Sequence, residues 1–440
     1  MQSVQKPEVT LNLRADLVFL PVATSFVEKA AAAFGMDEPA ALSLTLATEE
    51  VFAYLCDVVA AGKNVQLRCR GAGYYVDQEF LFESRGFNMR AFNLTCSATM
   101  DDQACMEETG LLIASRMVDR FQFLEEGKSL RLILTKEKSY PSVADLPVPD
   151  AKLMETFSIR PPDVEELKAL VHLAHGYYSS PVIPESFSYP GKIVDMVACG
   201  EYQSAIAADN AGHIGGGIVW RWTGAGPVEL YGPYVFNQPP DSGMGQALVD
   251  FCLGAIARIG AIGVISRRPT PEFPTEYFES LGSLLIGHKK TARLETISYY
   301  RHLEEDLGLS VWAHNSINMF LTGAYQRLAF AREIKPVTSE GESLSSFSVL
   351  STEFDRGAGQ VTLRPIWWGN DSEMILTTHV EMLLKEDLDN ILFEMDLGKS
   401  WHCYFTPALF NCGFEPRLVL PYAGQGDLVI FQHRTGETSQ

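Results

Sequence analysis

The chain has 440 residues, 46 % of them apolar, and a formal net charge of −20. That length and apolar content suit about two to four domains, each with its own core. The acidic balance, with no cluster of Lys and Arg, excludes nucleic acid and anionic membrane surfaces as partners, because phosphate binding is driven by clustered cations.

No uncharged apolar run of about 18 residues occurs, and residues 1–16 lack a signal-peptide pattern, so a soluble cytoplasmic protein is expected. The 8 cysteines are scattered without a Cys-x-x-Cys pair, which points to reduced thiols and to no metal site. His172 and His175 are spaced for one helix face but have no third ligand nearby. Two stretches rich in Pro and small polar residues, Lys138–Lys152 and Lys335–Phe347, suggest three units; their bounds are read as 1–140, 153–305 and 306–440, the last a helical connector followed by a lobe. Strands and helices alternate in each, so a multidomain α/β (α+β) protein is expected.

In the first unit "EPAALSLTLATEEVFAYLCDVV" has helical spacing, "NVQLRC", "YYVDQEFLFES" and "LRLILTK" alternate as strands, and "GLLIASRMVDRFQF" reads as a second helix. This order resembles the histidine-kinase-like ATPase domain of anti-sigma-factor kinases, an α/β sandwich. In that family an Asn four residues after a helix Glu holds magnesium, and glycine loops read adenine and cover the phosphates. Here Glu50 matches the Glu, but Tyr54 stands at the Asn position, Ser84 replaces the adenine-reading Asp with Gly86 kept, and Gly110 alone remains of the last loop. The resemblance with these losses implies a degenerate domain that does not bind ATP and that serves as a docking or dimerisation module.

The middle unit opens with "FSIRPPDVEELKALVHLAHGYY", a strand leading into a helix. A hairpin, "YQSAIAAD" and "GGIVWRW", follows, and then "VELYGPYVF", the helix "GQALVDFCLGAIARIG", the short strand "IGVIS" and "TEYFESLGSLL". Between "VELYGPYVF" and its helix lie Gly243 and Gly245. A helix start exposes unpaired N–H groups and partial positive charge, and glycine lets an anion approach them closely.

Residues 157–305 resemble the GNAT superfamily of acyl-CoA-dependent N-acetyltransferases. The family pattern V-x-P-x-x-(Q/R)-G-x-G-x-G places Val235 on the strand valine, with Gly243 and Gly245 eight and ten residues later, and "YFESLG" is similar to the family's helix-borne F-Y-E-K-L-G. The resemblance implies acetyl-CoA as cofactor. Its pyrophosphate would lie on the amides of Ser242, Gly243, Met244, Gly245 and Gln246, and its pantetheine along the strand edge at Tyr234 and Val235. Glu229 would be the base that takes the proton of an attacking amine, and Tyr277 the nearest tyrosine to the family's proton donor, whose own position holds Phe278. Tyr177, Tyr178, Phe187 and Tyr189 would wall the acceptor site. Pro240 and Asp241 depart from the pattern; a like charge at about 4 Å costs roughly 1–4 kcal/mol and would weaken the coenzyme's hold.

In the third unit "LRPIWW", "SEMILTTHVEMLLKEDLDN", "ILFEMDL", "HCYFTPALFNCGF" and "EPRLVLPYAGQGDLVIFQH" alternate again. Residues 391–433 resemble the last half of a GNAT domain without its glycine loop, and Gly424 and Gly426 read as a hairpin turn. The three-part order resembles bacterial proteins that join such modules. It implies an acetyl-CoA-dependent N-acetyltransferase acting on a small amine or a protein lysine or N-terminus. The alternative is a catalytically silent regulatory protein that senses acyl-CoA or grips a partner through its first unit.

Overall fold

The computed structural model describes residues 6–434 apart from 84–86, 97–102, 127–128, 145, 179–181, 225, 288–293, 338–344 and 389. Ser84 and Gly86 thus lie outside the described residues. The chain is a mixed α/β protein that divides into two compact units, one of residues 2–139 with 347–351 and one of 140–346 with 352–440.

The first unit runs β1 (Glu8–Arg14), α1 (Leu20–Ala33), α2 (Glu38–Val58), β2 (Asn64–Gly71), β3 (Tyr75–Phe82), α3 (Gln103–Met117), β4 (Arg120–Glu126) and β5 (Ser129–Glu137). Its antiparallel sheet has the order β1-β2-β3-β5-β4. In β2 Val65, Leu67 and Cys69 alternate inward, and α2 turns Leu44, Val51, Phe52 and Leu55 to the core at helical spacing. The helix expected to run through "VDRFQF" stops at Met117. Phe121 and Phe123 alternate with polar residues, and β4 pairs with β5 along its length. Asn93, buried, donates to the Ser348 carbonyl at 2.8 Å and accepts from the Leu350 N–H at 2.9 Å, which stitches residues 347–351 into this unit.

The second unit begins with a middle lobe. Its elements are β6 (Ser158–Arg160), α4 (Val164–Tyr177), α5 (Pro190–Ala198), β7 (Tyr202–Ala208), β8 (Ile214–Trp222), β9 (Val228–Val235), α6 (Met244–Ala257), β10 (Gly263–Ser266), β11 (Glu279–Ile286) and β12 (Leu294–His302). Asp163 and Glu166 form a capping box at the start of α4. The sheet order is β11-β12-β10-β9-β8-β7-β6, with β9 and β10 parallel. α6 covers one face, packing Leu248, Val249, Cys252 and Ile256 on Ile218, Trp220, Val228 and Leu230.

The helix expected over "YFESLG" is absent: Thr275–Tyr277 is a single 3-10 turn and β11 begins at Glu279. β11 gains a full ladder with β12, and Gly282 at φ +134° meets the backbone of Arg417 where a Cβ would sit 2.6 Å from its carbonyl oxygen. Those non-local contacts override the local helical pattern.

A connector of β13 (Leu309–Ala313), α7 (Asn318–Leu328) and β14 (Arg332–Pro336) leads to a C-terminal lobe. That lobe holds β15 (Val349–Asp355, from Thr352 on), β16 (Gln360–Trp367), α8 (Ser372–Lys385), β17 (Asn390–Asp396), α9 (Thr406–Asn411), β18 (Phe414–Leu420) and β19 (Leu428–His433). Its sheet, β15-β16-β17-β19-β18, repeats the order β8-β9-β10-β12-β11, with a parallel β16/β17 pair in the place of β9/β10 and α8 in the place of α6. The Gln432 amide on β19 bonds both backbone groups of Leu285 on β11, at 3.0 and 2.7 Å, joining the lobes.

Candidate functional site

The site is built where β9 leaves its neighbours. On one side β9 pairs with β8, with a bulge that sets Gly232 and Pro233 against Ile218 alone. On the other side it pairs with β10 only through Val228–Val264 and Glu229–Ile265. Beyond Glu229 the two parallel strands part.

Two hydroxyls meet the β9 edge beyond that point. The Thr270 hydroxyl donates to the Pro233 carbonyl at 2.7 Å. The Val235 N–H donates to the Tyr178 hydroxyl at 2.7 Å, and that hydroxyl lies 3.0 Å from both the Val235 carbonyl and Glu272 Oε2. Burial, with the Glu272 carboxylate alongside, raises the Tyr178 phenol above its ordinary range. A pocket of ≈ 450 Å³ opens here, lined by Tyr177, Tyr178, Val182, Val235, Pro271 and Glu272.

From β9 the chain crosses Asn237, at φ +51°, and Gln238, whose amide bonds the Lys152 carbonyl at 2.8 Å and the Met154 N–H at 3.0 Å. Pro240–Ser242 forms a 3-10 turn, and α6 starts from Gly243 at φ +65°, an N-cap without a side chain. A Cβ on Gly243 would meet nothing within 4 Å, whereas one on Gly245 would lie 2.7 Å from the Glu272 carbonyl oxygen. Gly243 thus serves a left-handed turn in open space, and Gly245 a close approach of backbone. Asp241 is exposed and Met244 is buried. The Ser242 hydroxyl lies 3.4 Å from the Met244 nitrogen, and the Gln246 side chain turns away to Asp250 at 2.8 Å. The first-turn amides point their partial positive charge outward.

Glu229 sits at the closed end of the splay, 3 % exposed. One oxygen accepts from Arg221 Nε and Nη2 at 3.2 and 2.9 Å and from the Tyr231 hydroxyl at 2.8 Å, and the other accepts from Arg267 Nε. Burial alone would raise its pKa. The guanidiniums of Arg267 and Arg221 outweigh that and hold the carboxyl well below the ordinary carboxylate range. A carboxylate so held is a weak base, and four donors already meet its oxygens, which counts against the general-base role expected of it.

The other expected residues divide. Tyr177 and Tyr178 line the pocket, whereas Phe187, fully buried, packs on Tyr234 with ring centroids 5.6 Å apart and belongs to the core. Tyr189 precedes α5 and does not line the pocket. Tyr234 is itself fully buried, so it can offer a ligand only backbone. Tyr277 is 51 % exposed under the Arg301 guanidinium, 6.0 Å from its ring centroid, and ends a single 3-10 turn instead of standing on an α-helix. Thr270, Glu272, Arg221 and Arg267 were missed in the sequence. Only cross-strand register could have paired Arg221 with Glu229.

In the first unit a Cβ on Gly110 would lie 2.5 Å from Glu50 Oε2, so this glycine lets α3 close on α2. Tyr54 accepts from the Asn88 N–H at 3.1 Å and lies edge-on to Phe87, which continues through Phe82 and Phe123 to Phe92 and Phe121. An aromatic cluster thus surrounds the position where the family resemblance would place a metal-binding Asn.

No protein-family model and no curated protein matches the chain. Among solved structures it is similar to a GNAT-family acetyltransferase from Desulfovibrio desulfuricans (19 % identity, 34 % of this chain and 100 % of that one, TM-score 0.27). It is likewise similar to a GNAT-superfamily phosphinothricin acetyltransferase from Sinorhizobium meliloti in complex with AcCoA (18 %, 34 % and 90 %, TM-score 0.29) and to an N-acetyltransferase from Staphylococcus aureus Mu50 (15 %, 34 % and 100 %, TM-score 0.29). At such low identity and TM-score, what the middle lobe does has to be read from its own geometry. No helix among the described residues is long and apolar enough to cross a membrane.

Proposed function

We propose that the middle lobe is a GNAT-type N-acyltransferase that uses acetyl-CoA and acts on an amine. One observation carries this reading: β9 and β10 part after two paired residues, beside a helix start whose N-cap is an exposed glycine. The amides of Gly243, Gly245 and Gln246, with Ser242 and Met244 alongside, face a diphosphate, and Gly243 leaves it room. The β9 edge at Tyr234 and Val235 takes the thioester arm once Tyr178 gives up the Val235 N–H. Because residue 233 is a proline without an N–H, Val235 is the donor left at the end of this edge to polarise a carbonyl. Bound acetyl-CoA supplies a carbonyl that forms a C–N bond with a neutral amine while its C–S bond breaks and a thiolate of pKa about 8.5 departs. Glu229 acts here as an anchor, fixing Arg221 and Arg267 at the root of the splay, and the amine's proton leaves to solvent.

The second reading is a silent acyl-CoA-binding regulator, and the occupied Val235 and ion-paired Glu229 favour it. Titrating acetyl-CoA calorimetrically into the full chain, then following thiol release with a panel of amines, separates the two. Saturable binding with release supports the transferase, binding without release supports the regulator, and no binding removes both. The first unit is assigned to docking a protein partner on a kinase-like fold without nucleotide. Magnesium ATP is expected to leave its melting temperature unchanged, and a clear rise would overturn that assignment.

A further inference from the structure

Six charged side chains form an unbroken chain of alternating sign at the closed end of the splay. Arg221 holds one oxygen of Glu229; Arg267 holds the other and comes within 3.6 Å of Glu394; Arg364 joins Glu394 to Glu353. The inner carboxylates are hidden, with the Glu229 and Glu394 side chains 4 % and 10 % exposed. Arg221, Arg267 and Arg364 remain 32 %, 29 % and 38 % exposed, and Glu353 64 %. What water touches is therefore three guanidiniums and the Glu353 carboxylate. Arg364 is the strongest influence on that carboxylate, and Arg267 and Arg221 also act on it, together holding it below its ordinary range.

Ion pairs taken out of water add little stability over well-packed apolar side chains, so a chain of six points to a use other than stability. Guanidinium is the side chain whose planar fork matches a carboxylate. The exposed Glu353 carboxylate marks where another could bind. We infer that the acceptor of the middle lobe carries a carboxylate as well as an amine: the carboxylate displaces Glu353 from Arg364, and the amine is left on the side of the parted strands. The assignment of the acceptor rests on the transferase reading, but the docking of a carboxylate does not require acetyl-CoA.

The test is calorimetric titration of the full chain, without acetyl-CoA, with γ-aminobutyrate, butyrate and n-butylamine. The two carboxylates are expected to bind saturably and the plain amine not to. Glu353→Gln, a change at an exposed position, should tighten butyrate about tenfold by removing its competitor, and Arg364→Gln should weaken it at least tenfold. Butylamine binding as well as butyrate, no carboxylate binding to either the wild type or Glu353→Gln, or a Glu353→Gln variant with unchanged affinity would each overturn the inference. Carboxylate docking without thiol release from acetyl-CoA and γ-aminobutyrate would leave the site standing and remove the transferase reading.

Discussion

The middle and C-terminal lobes share a strand order and differ at the same crossover. β9 and β10 stay paired for two residues, whereas β16 and β17 stay paired for four, from Gln360–Asn390 to Leu363–Phe393. α6 starts at an exposed left-handed Gly243; α8 starts at Asp371 and carries Glu373 in its first turn, which repels an anion there. The glycine turn of the C-terminal lobe is filled by the protein itself. The N–H groups of Gly398, Gln425 and Gly426 donate to the Asp396 carboxylate at 2.9, 2.9 and 3.0 Å, and a Cβ on Gly424 would strike that carboxylate at 2.6 Å. The C-terminal lobe closes its β18–β19 turn on its own anion, whereas the middle lobe starts α6 at an exposed glycine. Function follows that local difference and not the shared topology.

The largest effect expected from breaking this contrast lies at the root of the splay. Glu229→Gln leaves Arg221 and Arg267 without their shared carboxylate, and removing one partner of a buried ion pair costs about 3–5 kcal/mol. Denaturant titration should show the loss; a change under about 1 kcal/mol would mean that Glu229 is not the anchor. Acid titration reads the same residue. Its folded pKa is depressed, so the stability it adds is complete above the unfolded value of about 4.5 and is withdrawn as pH falls below it. Glu229→Gln should flatten that acid limb.

Asp396→Ala comes next. It strands three N–H donors, that of Gly426 buried and those of Gly398 and Gln425 part-buried, and at about 1 kcal/mol for the buried one and less for the others should cost about 2 kcal/mol without touching acetyl-CoA affinity. Tyr178→Phe sharpens the comparison from the other side. In the free protein it leaves the Val235 N–H without its 2.7 Å partner, a loss of about 1 kcal/mol, and a bound thioester arm restores the bond. Acetyl-CoA should therefore bind roughly five- to tenfold more tightly. Weaker binding would show that the hydroxyl contacts the coenzyme instead of competing with it.

The helix start at Gly243 was legible in the sequence because a strand end, a glycine pair and a helix lie within a few residues. So were α2, β2, β3, the β7–β8 hairpin and α8, each carried by its own periodicity. What escaped was non-local. "YFESLG" has a helical look that the β12 ladder and Arg417 overrule, and the basicity of Glu229 depends on Arg267, which reaches it through strand register. Tyr178 meets Val235 from the end of α4, and only the folded chain shows that Asp396 fills the Gly424–Gly426 turn.

The most direct test is acetyl-CoA affinity of the wild type against Gly243→Asp, measured by calorimetry beside a melting curve. Aspartate tolerates the left-handed conformation better than most residues, and a Cβ at Gly243 would meet nothing within 4 Å. The fold should persist while a carboxylate enters the mouth of α6. Saturable binding in the wild type and at least tenfold weaker binding in the variant, at nearly unchanged melting temperature, is the predicted result. Equal affinity in the two proteins, or no binding in either, would contradict the assignment of this helix start as the coenzyme's diphosphate site.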